Sequence, residues 1–431
     1  MFTSSTASQH LMSPDAALAH VHSGQRVYIG GGCGVPSALL EALLARAPEL
    51  HNVEIIHILT AGDDPTTAPE YADAFRHNAL FIGPNVRRAV REGRADFTPV
   101  FLSEIPRLFR SGVLPIDVAL IQVAPPDDHG FCSLGVEVGC TLTAAQLAGT
   151  VIAEINTRMP RTLGDSFIHY SRISASIETD RPLCETHISL DNPVAERIGQ
   201  RIADLIPDGA TLQLGIGAIP NAVLRLLGHK RHLGIHSELV SDGIIDLVES
   251  GVIDGDAKSI HRGKIVAGFV LGSRRLFDWV HNNAMVELHP TEYVNDPFVI
   301  ARHHNMVAIN SALQVDLTGQ VCADSLGAQL YSGAGGQVDF IRGAARAEGG
   351  QPIIALPATA KTDTLSRIVP TLDAGSGVVT SRYDVHTIVT EYGVAQLYGQ
   401  TLAQRARALI AIAHPAFRES LTNAARQLHY L

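Results

Sequence analysis

Two places in this 431-residue chain have residue types and spacing that could do chemistry. The first is Gln213-Leu-Gly215-Ile216-Gly217-Ala218-Ile219-Pro220, which reads as a strand end, a glycine turn and a helix start. Gly215 and Gly217 let the backbone approach a ligand without interference from a Cβ. Pro220 suits a first helical turn, where its missing N–H would have no partner anyway. The remaining free amides of such a turn point at an arriving anion or a developing oxyanion. The second place is Glu238, which ends the next strand-like run, Gly234-Ile-His-Ser-Glu238. Each has a bland alternative, a tight turn in one case and a solvated glutamate in the other.

Glycines after a strand with an acidic residue about 20 positions on are also the mark of a dinucleotide-binding unit. Here the third glycine of that fingerprint is Pro220, and no proton-transfer pair accompanies it. That reading is the weaker one. Ser332-Gly333-Ala-Gly335-Gly336-Gln337 can form a nest of N–H donors, or a plain turn. Pro125-Pro-Asp-Asp-His129-Gly130 is turn chemistry, and His129 lacks the spacing of a metal ligand, so no metal is expected.

The elements that must position these residues are those of an α/β protein with mainly parallel sheets. Strands are expected at Arg26–Ile29, 53–59, Val118–Val123, Thr211–Leu214 and 353–356. Helices are expected over 37–47, Pro193–Leu205, 221–227 and 402–413. One echo runs through the chain. Gly24-Gln-Arg-Val-Tyr-Ile-Gly-Gly31-Gly-Cys-Gly-Val-Pro36 repeats the plan of Gly209–Pro220, and His57 and Asp63 are six apart, as are His236 and Asp242. Two related halves are expected, 1–187 and 188–431. Matching His57 with His236 puts Leu59 where the second half has Glu238.

Composition narrows the function classes. Hydrophobic residues are 46% and charged residues 18%, a globular balance that excludes disorder. A net charge of −10 without any basic run argues against nucleic acid as a partner. Five scattered cysteines without a C-x-x-C pair read as reduced thiols of a cytoplasmic protein. No apolar run is long enough for a membrane span.

Taken together, Gln213–Pro220, Gly234–Gly243, Asn310-Ser311-Ala-Leu-Gln-Val-Asp316, Gly333–Ala344, Pro357–Lys361, Ser366-Arg-Ile-Val-Pro370 and Val389-Thr-Glu-Tyr-Gly393 resemble the acetyl-CoA hydrolase/transferase family. Within it they are most similar to the 4-hydroxybutyrate and butyrate:acetate CoA-transferase branch. The resemblance covers nearly the whole chain in order. It implies two open α/β halves of the CoA-transferase kind with the active site at their junction, and assembly as a homodimer or homotetramer.

It also implies a role for each residue. Glu238 is the nucleophile that attacks an acyl-CoA thioester, and coenzyme A is a substrate held transiently as a glutamyl-CoA thioester. Gln213 and the backbone of Gly215, Ile216, Gly217, Ala218 and Ile219 are the candidate oxyanion donors and CoA contacts. Gly335 and Gly336 face the glutamate, Lys361 is the cation for CoA phosphates, and Asn310 and Ser311 are pocket walls. Gly31 and Val35 stand where that branch carries His and Glu, so the loop offers no polar side chain for a distal hydroxyl. Acetate, butyrate, 4-hydroxybutyrate and a small dicarboxylate such as itaconate or succinate are then all open as acceptors. Hydrolysis of the acyl-CoA at the same site is the alternative reaction.

Overall fold

A computed structural model describes residues 10–186 and 192–431. The expected boundary between residues 187 and 188 lies outside the described residues. The chain divides into two compact units. One takes in the described residues up to 186 with Leu239–Asp242 and Val266–Val294, the other residues 192–238, 243–265 and 295–431. The described residues include no helix long and apolar enough to cross a membrane.

The first unit is built on a seven-stranded sheet. Its strands are β1 (Arg26–Ile29), β2 (Val53–His57), β3 (Phe75–Ala79), β4 (Ala95–Phe97), β5 (Val118–Val123), β6 (Thr150–Asn156) and β7 (Ala175–Thr179). Their order across the sheet is β7-β6-β5-β1-β2-β3-β4, and every pairing is parallel. Parallel strands are covered on both faces, so they read as near-continuous apolar runs. All six residues of β5, Val-Ala-Leu-Ile-Gln-Val, are buried. Helix α1 (Ser37–Ala45) packs Leu39 and Leu43 onto Val27, Ile29, Ile55 and Leu120.

In the second unit, helix α2 (Pro193–Leu205) starts where sequence expects it. Asn192 caps it, its Oδ1 accepting from the Ala195 N–H at 3.0 Å, and Pro193 fills the first position. There follow β8 (Thr211–Leu214), α3 (Ala218–Leu226), β9 (Gly234–Val240), β10 (Met306–Ser311), α4 (Gln337–Arg346), β11 (Gln351–Ala355), β12 (Thr387–Thr390) and β13 (Gly393–Gln396). The order is β13-β12-β11-β10-β8-β9, parallel except for the β12–β13 hairpin. Helix α5 (Leu402–Ile412) opens with a capping box between Thr401 and Gln404 and turns Ala406, Leu409 and Ile410 to the core.

The two units share one wiring plan. The first strand after each unit's opening, β1 or β8, lies between the next strand and a much later one, β5 or β10. That is the point where strand order reverses, and open α/β sheets bind ligands at the carboxyl ends there. The ladders also fix which residues correspond. Val27 pairs with Ile55, and Leu212 pairs with Ile235. Three residues further on, Glu238 therefore corresponds to Ile58 rather than Leu59. Matching the histidines is off by one residue, which in a strand exchanges one sheet face for the other.

Candidate active site

Glu238 lies near the carboxyl end of β9 and is partly buried. The β8–β9 ladder is paired at Thr211–Gly234 and Leu212–Ile235. Beyond it the Ser237 hydroxyl bridges the strands, accepting from Leu214 N–H at 3.3 Å and donating to the Leu214 carbonyl at 3.1 Å. A side chain thus replaces the backbone ladder directly before the glutamate. His236, two residues earlier and on the same face, is fully buried. Its ring packs on His303 with centroids 4.6 Å apart and on Phe340 of α4 at 6.3 Å. These contacts seat β9 against α4, whose N-cap is Gly336. Gly335, with a left-handed φ of 54°, turns the chain just before that cap.

Two donors reach the Glu238 carboxylate. Asn295 Nδ2 donates to Oε2 at 3.3 Å, and the Gly336 backbone N–H donates as well. Asn295 is 1% exposed, and its Oδ1 has no hydrogen-bond partner, so the amide serves the glutamate alone. A Cβ at position 336 would overlap both Glu238 Oε2 and Asn295 Nδ2. Glycine is required there for space, because its φ of −90° is open to any residue. Burial pushes the Glu238 pKa up to about 7, against the lowering effect of the Asn295 and Gly336 hydrogen bonds.

Gln213 and Asn310 meet at the strand-order reversal between β8 and β10. Asn310 Nδ2 donates to Gln213 Oε1 at 3.0 Å, which turns the Gln213 NH2 group away as a donor. Gln213 is 3% exposed. Next to it, a Cβ at Gly215 or Gly217 would meet nothing within 4 Å, so open space adjoins the turn. Gly217 has a φ of 125° and caps α3, whose first residues are Ala218 and Ile219, while Ile216 is exposed. Ser311 is exposed at the end of β10, and its carbonyl accepts from Gln337 Nε2 at 2.6 Å.

The other expected residues lie elsewhere. Lys361 is exposed at the tip of a hairpin formed by Thr359–Ala360 and Leu365–Ser366. Lys361, Thr362 and Asp363 all have left-handed φ, at 49°, 56° and 64°. Gly31 belongs to the first unit and lines a cavity of about 20 Å³ with Leu59, Glu137, Cys140 and Phe269. That is room for about one water. Glu137 is 7% exposed, and its carboxylate lies 2.8 Å and 3.1 Å from where Cβ atoms of Gly139 and Gly32 would be. Glu137 thus brings a carboxylate to the Gly31 loop. A pocket of about 310 Å³ in the same unit, lined by Arg158, Leu183 and Phe277, holds none of the expected residues.

Asn295 and Glu137 are the functional candidates that sequence reading missed. The family models bear directly on the chain. The N-terminal domain of acetyl-CoA hydrolase/transferase matches residues 4–189 and the C-terminal domain matches residues 272–425. This chain belongs to the acetyl-CoA hydrolase/transferase family. Among members of the family, 4-hydroxybutyrate coenzyme A transferase of Clostridium kluyveri is 51% identical over 96% of this chain and 97% of its own. Succinyl-CoA:acetate/propanoyl-CoA:succinate CoA transferase of Fasciola hepatica is 47% identical over 95% and 86%. The crystal structure of RipA from Yersinia pestis superposes with a TM-score of 0.93 at 36% identity, covering 98% of each chain.

Proposed function

We propose that the chain is a CoA-transferase that moves CoA from an acyl-CoA to a small carboxylate such as 4-hydroxybutyrate, butyrate or acetate. The observation that carries this is the Glu238 carboxylate at a strand end, held by Gly336 N–H and Asn295 Nδ2. The names of the similar enzymes support the same reaction class.

In the first step a Glu238 oxygen attacks the thioester carbonyl, expelling CoA thiolate and leaving a mixed anhydride. The thiolate then attacks the glutamyl carbonyl, forming glutamyl-CoA and releasing the first acid with one glutamate oxygen. A second carboxylate reverses these steps. Each addition builds an oxyanion, and one well-aimed donor is typically worth about 3–4 kcal/mol. Asn295 and Gly336 already point at the glutamyl oxygen, so they serve the step in which that carbon is attacked. The Gln213 NH2 group and the start of α3 serve the acyl oxygen.

Incubation with acyl-CoA alone tests the proposal. The peptide containing Glu238 should gain the mass of CoA less water, and added carboxylate should discharge it. Thiol release at one rate with and without acceptor would instead mark a hydrolase.

A further inference from the structure

Arg367 follows the hairpin strand Leu365–Ser366 and is partly buried. Its Nε is shielded from solvent and has no hydrogen-bond partner. The guanidinium makes one bond, from Nη1 to the Ala312 carbonyl at 3.4 Å, which is long for a hydrogen bond. A guanidinium carries five N–H donors, and buried donors are normally satisfied. Among the described residues no carboxylate lies within ion-pair distance of it. Glu391 is near enough to be felt, yet its Oε2 already accepts from the Ala358 N–H at 2.9 Å. Desolvation lowers the Arg367 pKa, with Tyr331 and Glu391 opposing. Most of its N–H donors are left unused by the protein.

Its position gives that cost a use. Ala312 follows Ser311 at the carboxyl end of β10, beside the strand-order reversal. The Ser311 carbonyl is held by Gln337, the residue after Gly336, which in turn touches Glu238. Lys361, on the same hairpin, is exposed and separate from this chain of contacts.

We propose that Arg367 binds an oxyanion group of a substrate, a CoA phosphate or the carboxylate of the free acid, through the donors the protein leaves unused. The inference rests on the CoA-transferase reading. A guanidinium fork matches either group in bidentate fashion.

The test is steady-state kinetics of Arg367→Met and Arg367→Lys with acyl-CoA, acyl-pantetheine and the free acid. If a phosphate is the ligand, Arg367→Met raises the acyl-CoA KM at least tenfold, while acyl-pantetheine is used as in the unaltered enzyme. If a carboxylate is the ligand, the KM of the free acid rises instead. Arg367→Lys should recover part of either loss, and kcat should change less than KM. Unchanged KM values for all three would overturn the inference. Should Arg367→Met not fold, Arg367→Lys and the shift in melting temperature given by pyrophosphate or acetate decide; equal shifts in variant and unaltered enzyme overturn it. CoA labelling of Glu238, measured in parallel, reports separately on the transferase reading.

Discussion

The Gly336 N–H donates to the Glu238 carboxylate, and the missing side chain at 336 is what makes that contact possible. Gly336→Ala would push apart Glu238 and Asn295 together. Misplacing a reacting group by about 1 Å can cost about 10²-fold in rate, so transfer should fall by about that factor. Melting temperature, measured alongside, should change little by comparison.

Ionisation of Glu238 should govern the pH profile. With a pKa of about 7, formation of the CoA adduct should rise with pH and level off above that value. Stability runs the other way. Between the ordinary carboxyl range and pH 7 the folded protein holds a proton the unfolded chain has lost, so stability falls as pH rises. Glu238→Gln should abolish transfer yet melt about 2–4 °C higher at pH 8 and no higher at about pH 4. Equal melting curves at both pH values would contradict the shifted pKa.

Asn310→Ala removes the donor that orients Gln213. The Gln213 amide is then free to turn, and kcat should drop about tenfold or more with little change in acyl-CoA KM. Gln213→Ala should be no worse when added to Asn310→Ala, because the two act as one unit. A double-variant series measures this directly.

The first unit should be acid-sensitive. His57 is 1% exposed, and burial beside His77 lowers its pKa to about 4, against the opposing effects of Asp64 and a backbone hydrogen bond at Ile58. The unfolded chain binds that proton near pH 6.5, so stability is lost as pH falls from there toward 4. Denaturant midpoints should decline over that window, and His57→Phe should flatten the decline.

How far the sequence carried depended on distance along the chain. The turn at Gly215–Gly217 and the helix Pro193–Leu205 are local, and local spacing revealed them. Strand 53–59 ends at His57 and helix 221–227 begins at Ala218, since ends answer to neighbours as well as to propensity. Asn295 is 57 positions from Glu238 in sequence and meets it only through folding, so no spacing signals it. Glu137 escaped for the same reason, lying far along the chain from Gly31. Gly336 was legible as a glycine but not as a space requirement, which only the neighbouring carboxylate defines.

Ile58 stands in the first unit where Glu238 stands in the second. An apolar side chain cannot carry CoA as a thioester, so repetition of the framework did not double its capacity. A saturating pulse of acyl-CoA labelled in its CoA moiety should therefore plateau at one mole of bound label per mole of polypeptide. A plateau at half that amount would be the signature of subunits taking turns.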